Sequence, residues 1–124
     1  EDNVPEDSSI VVQTAQGLVV VSGCGHAGIV NTLEYAQKAV QNTTVHAAIG
    51  GFHLFAASDE TLAWTASKLK EAKVAYFLGA HCTGIEAVFR IRQALGLARK
   101  AAVVGAVGAS FTLGTGIDPK ALAQ

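Results

Sequence analysis

Apolar residues arrive along this chain in short bursts, and the spacing within each burst predicts the element it forms. Ser9-Ile10-Val11-Val12-Gln13-Thr14 reads as a strand, Ala15-Gln16-Gly17 as a turn, and Leu18-Val19-Val20-Val21-Ser22 as a second, more fully buried strand. Beyond a glycine-rich loop, Ile29, Leu33, Ala36 and Val40 fall at steps of four, three and four, one face of a helix from Ile29 to Val40. Asn42-Thr43 break that helix, and Thr44 to Ile49 form a third strand. Ser58-Asp59-Glu60 cap a second helix that ends near Lys73, with acids at its positive end and Lys68, Lys70 and Lys73 toward its negative end. Val74 to Leu78 read as a fourth strand and Ile85 to Leu95 as a third helix. Ala101–Val107 and Ser110–Leu113 read as two closing strands around Gly108. The order ββαβαβαββ predicts an α/β layered domain over residues 10–124, with the polar segment 1–9 as a linker or processed loop.

Composition narrows the function classes. Half of the 124 residues are apolar, only 15% are charged and mean hydropathy is +0.35, which excludes a disordered chain. Nine basic against ten acidic residues leave a net charge of −1 and no basic block, so nucleic acid is not an expected partner. No apolar run approaches the ~20 residues that span a bilayer, so no membrane association is expected. Two cysteines cannot build a disulfide framework; with no visible signal segment, the expected compartment is the cytoplasm. The sequence contains no methionine and opens on Glu1, which points to processing or truncation of a larger product.

Candidate chemistry lies in the histidines. His26, His53 and His81 each follow a predicted strand, in loops rich in glycine or small residues, whereas His46 falls inside the third strand as an ordinary packed or surface residue. Any one loop histidine is more often a surface residue. Three at successive strand ends can converge, because such loops lie side by side at a sheet edge. Neutral imidazole is the commonest metal ligand, and three imidazoles with an open position make a catalytic metal arrangement. Cys24 and Cys82 neighbour two of these histidines, but Cys24 and His26 share a face only if the backbone is extended, and adjacency at His81-Cys82 rarely lets both reach one ion. They are expected to be buried, inert thiols. A competing motif is Gly23-x-Gly25-x-x-Gly28, the dinucleotide fingerprint between a strand and a helix. The acid it needs about twenty residues on is missing: that stretch reads Ile49-Gly50-Gly51-Phe52-His53.

Three blocks in order, Gly17 to Asn31 around Ser22-Gly23-Cys24-Gly25-His26-Ala27-Gly28, Ile49-Gly50-Gly51-Phe52-His53-Leu54, and Ala80-His81-Cys82-Thr83-Gly84, resemble the metallo-β-lactamase-fold hydrolases. The branch they are most similar to is the dihydropterin-ribofuranosylaminobenzene phosphate synthase-like one. The resemblance covers nearly the whole chain, including Phe111-Thr112-Leu113-Gly114 to Asp118-Pro119. It implies half of a metallo-β-lactamase-like αββα sandwich, the carboxyl-terminal half. The other half would carry the family's His-x-His-x-Asp-His string, which is absent here. It also implies one or two divalent ions, zinc foremost, with iron or manganese as other candidates.

In that scheme His26 is the third ligand of the first metal and His81 the last ligand of the second. Where the family has a bridging Asp, this sequence offers Gly51 and His53. His53 either replaces that ligand or acts beside it as a proton donor. The implied activity is hydrolysis of a small-molecule ester or phosphate ester by metal-activated water. Lone half-sandwiches leave a sheet face bare, so the expected partner is the complementary amino-terminal half or a second copy of the chain. Alternatives are a non-catalytic binding or assembly domain that kept the fold, and a dinucleotide-binding domain using Gly23, Gly25 and Gly28.

Overall fold

The structure is a computed structural model that describes residues 7–120. Ten elements follow in order: β1 (Ser9–Thr14), β2 (Gly17–Ser22), α1 (Ile29–Val40), β3 (Val45–Gly51), α2 (Asp59–Glu71), β4 (Tyr76–Ala80), α3 (Ile85–Leu95), β5 (Ala102–Val104), β6 (Ser110–Thr112) and β7 (Gly116–Asp118). The first five strands form one sheet in the order β1-β2-β3-β4-β5. β1 is antiparallel to β2 across a tight hairpin, and the remaining pairs are parallel, joined through helices. Residues 1–6 of the expected linker lie outside the described residues, and Ser9 already pairs with Ser22 in β1.

Three helices cover one face of this sheet. Leu18, Val20, Val45, Phe77 and Ala102 point into them and meet Ile29, Leu33, Leu62, Leu69, Val88 and Ile91 in one core. Sheet alternation sends Ile49, Tyr76, Leu78 and Val103 to the opposite face. A bulge sustains this pattern in β3: Leu18 pairs with Val45 but Val19 pairs with Ala47, so His46 is the extra residue. Its ring packs edge-on to Tyr76 at 5.3 Å, beside Phe111 of the β6-β7 ribbon. That ribbon covers only the β4-β5 end of the second face. At the other end Ile10, Val12 and Val21 stay 66%, 48% and 37% exposed.

Sequence periodicity and structure agree on β1, α1 and α3 to the residue. They part where glycine or a helix exit intervenes. β3 runs on through Gly50 and Gly51, because parallel partners Ser22, Gly79 and Ala80 supply ladder positions that a glycine pair hides from pattern reading. β4 begins at Tyr76 instead of Val74, since the Val74 amide still donates to Leu69 O at the exit of α2. The closing strands do not pair around Gly108. β5 joins the large sheet, while β6 pairs with Gly116–Asp118, a seventh strand too short to show a period. The order is therefore ββαβαβαβββ. Among the described residues no helix is long and apolar enough to cross a membrane.

Gly50 has φ +122°, and a Cβ there would run into the carbonyl oxygen of Ser22. Gly50→Ala is therefore expected to cost more than about 3 kcal/mol, read as a shift in the urea unfolding midpoint. A variant of native stability would mean the β2–β3 contact is not as close as described.

Candidate metal centre

β2, β3 and β4 end side by side, and the loops that leave them hold all the chemistry anticipated from the sequence. Glycine lets these loops touch. Gly25 has φ +68°, and a Cβ on it would stand 2.8 Å from Gly51 O and 2.9 Å from Phe52 Cα. The glycine pattern at 23–28 is thus used for packing against the end of β3. Thr83, fully buried after β4, provides the second tie: its hydroxyl accepts the Phe52 amide at 3.1 Å and faces the carbonyls of Ala80 (2.8 Å) and Gly50 (3.2 Å). With one proton, it donates to one of these at a time. The Phe55 amide donates to Cys82 O at 3.2 Å, and the His53 amide to Cys82 Sγ at 3.2 Å.

These ties bring the three predicted histidines to one edge, but in two overlapping groups. His26 and His53 lie edge to face with ring centroids 4.9 Å apart, and their nitrogens fall within 4.8 Å of Cys24 Sγ. His81 has its Nδ1 3.7 Å from that sulfur and groups with Cys24 and Cys82. His53 and His81 both adopt left-handed backbone, φ 50° and 52°, uncommon for residues with a Cβ and concentrated at functional sites. His46 stays apart in the β3 bulge, as the sequence reading has it.

The cysteines require a correction. Neither is fully buried, and both join the donor group: Cys24 Sγ lies 3.0 Å from Cys82 Sγ, and the Cys82 thiol donates to Cys24 O at 3.1 Å. Adjacency misled because it assumes extended backbone. Positive φ at Gly25 and at His81 turns the chain so that neighbouring side chains face the same space. The Cys24 thiol is pushed up to about 11, first by its hydrogen bond with Cys82, then by burial and by the charges of Cys82 and Asp7.

Imidazole and thiol donors suit zinc or iron, and the His26 ring fits a role as ligand: its Nδ1 is buried and has no hydrogen-bond partner among the described residues. An unpaired buried nitrogen beside two other donors is what a metal would satisfy. A shallow cleft of about 400 Å³ opens next to it, lined by His26, Asn31, Phe52, His53 and Trp64.

The chain is 40% identical over 86 residues, 69% of its length, to 7,8-dihydropterin-6-methyl-4-(beta-D-ribofuranosyl)-aminobenzene-5'-phosphate synthase of Methanocaldococcus jannaschii. The solved structure of a metal-dependent hydrolase of the beta-lactamase superfamily superposes with a TM-score of 0.66 at 33% identity, covering 70% of this chain and 34% of that one. The chain belongs to the metallo-β-lactamase superfamily. An uncharacterized protein of the same archaeon is 31% identical over 93 residues, 75% of this chain and 33% of the relative. No family model matches the chain.

Three helices on one sheet make it half of the αββα sandwich of that superfamily. The chain spans about a third of the length of the relatives it matches, 29% of the synthase. These alignments cover about three quarters of the chain at most, less than the near-complete resemblance anticipated.

Replacing Thr83 by Val leaves the buried Phe52 amide without an acceptor, so Thr83→Val should lose about 1–3 kcal/mol of stability while Thr83→Ser retains most of it. Denaturant unfolding of the two variants decides this; a larger loss in Thr83→Ser than in Thr83→Val would mean that the methyl and not the hydroxyl carries the tie.

Proposed function

We propose that the chain is the carboxyl-terminal, metal-binding half of a metal-dependent hydrolase acting on a small ester or phosphate ester. One observation carries the reading: His26 and His53 on one hand and His81 on the other group around Cys24 at the edge of a superfamily half-sandwich, with the buried Nδ1 of His26 unpartnered among the described residues. His26 and His81 are the ligands proposed first. His53, exposed beside the cleft, serves either as a third ligand or as the proton donor to a leaving group. A bound divalent ion supplies Lewis acidity, activating water and polarising the scissile bond. The residues around it orient and shield: Phe52 and Trp64 give the cleft apolar walls, and the His53 amide bonded to Cys82 Sγ fixes the loop that carries the ring.

The synthase relative is named for a product with a ribose 5'-phosphate, which directs the first substrate trials toward ribose phosphate esters. The chain's share of its relatives supports a complementary half that brings further ligands. That half would cover the β1-β2 face, where Ile10, Val12 and Val21 are exposed; a second copy of the chain is the other candidate. No observation favours the dinucleotide reading, since Gly25 is taken up in packing.

Metal analysis by inductively coupled plasma mass spectrometry tests the site. The unmutated chain should retain divalent metal that His26→Ala and His81→Ala lose; joined by the complementary half, those variants should also lose hydrolysis of aryl phosphate esters. Unchanged metal content in both variants would sink the assignment, and metal-free wild type would favour a non-catalytic assembly domain. For the bare face, Val12→Asp should abolish association with the complementary half in sedimentation velocity and leave circular dichroism unchanged. Intact association would place the interface elsewhere.

A further inference from the structure

Cys24 occupies a position that the hydrolase reading leaves unexplained. Its sulfur is the single donor atom common to both clusters, grouped with His26 and His53 in one and with His81 and Cys82 in the other. We propose that Cys24 is a thiolate metal ligand standing between two cation positions. The inference rests on the metal-site reading above and adds the residue that supplies its negative charge.

Geometry supports the role. Around an ion with sulfur at about 2.3 Å and nitrogen at about 2.05 Å, tetrahedral donors stand about 3.6 Å apart. Cys24 Sγ and His81 Nδ1 are 3.7 Å apart, which is such an edge. Two sulfurs on one ion would stand about 3.8 Å apart, and the 3.0 Å between Cys24 and Cys82 is too short for that. Cys82 also accepts the His53 amide, which commits its sulfur to holding the His53 loop. Cys82 is thus a positioning residue.

Charge points the same way. Among the described residues neither cluster contains a carboxylate; the charge of Asp7 reaches Cys24 but Asp7 is not among the donors, so imidazoles alone would give a cation no anionic ligand. A coordinated thiol gives up its proton to solvent and becomes that ligand. A shared thiolate would serve both positions with one residue. Softer ions such as zinc and cobalt then bind in preference to magnesium or calcium, which take oxygen donors.

Co(II) titration of the full chain under reducing conditions tests the proposal. A sulfur-to-cobalt charge-transfer band in the near ultraviolet is expected beside the visible d–d bands. It should vanish in Cys24→Ser, with Co(II) affinity down about tenfold or more, and persist in Cys82→Ser. Visible bands without charge transfer, or a band untouched by Cys24→Ser, overturn the proposal and leave the histidine site standing. No cobalt spectrum at all overturns both. Should Cys24→Ser fail to fold, the unmutated chain still decides. Zn(II) should abolish iodoacetamide alkylation of Cys24 in peptide mass spectra; unprotected Cys24 in zinc-loaded chain refutes ligation.

Discussion

At the carboxyl ends of β2 and β3, two stretches of backbone run closer than side chains would permit. Gly25 sits on Gly51 O and Phe52 Cα, and Gly50 turns its missing side chain toward the Ser22 carbonyl. Close approach draws the β2 loop, with Cys24 and His26, against the β3 loop, with Phe52 and His53. Thr83 then binds the β4 loop to the same point through the Phe52 amide. Without these contacts the three histidines would belong to three independent surface loops. The donor cluster is a consequence of backbone packing, and the large core beneath it keeps the strands in register.

That core is one-sided. Helices α1, α2 and α3 bury Leu18, Val20, Phe77 and Ile91 almost completely, and the second face is covered only where β6 and β7 reach. A five-stranded sheet has two faces and the chain has helices for one. The exposed Ile10, Val12 and Val21 mark where the described elements run out, on the same sheet whose edge carries the donors.

Two of the five non-glycine residues with left-handed backbone among the described residues are donors. His53 and His81 hold left-handed backbone despite their side chains, a cost that the surrounding hydrogen bonds offset. The same conformation defeats the rule that adjacent residues point apart, which is why Cys82 and His81 can face one cluster.

Helices were legible from the sequence because their apolar period is local: α1 and α3 begin and end where spacing and glycine place them. So was the α/β class, and so was the shared setting of His26, His53 and His81 past successive strand ends. Periodicity could not give the extension of β3 through Gly50-Gly51 or the pairing of β6 with β7. The first depends on neighbours distant in sequence, and glycine and three-residue strands carry no apolar signal of their own. Nor could it give the participation of Cys24. Spacing counts residues, whereas the direction of a side chain at a loop depends on φ, and φ at Gly25, His53 and His81 is imposed by contacts between loops. Sequence determined which donors exist and at which end of the sheet; only the tertiary structure decided which of them share a point in space.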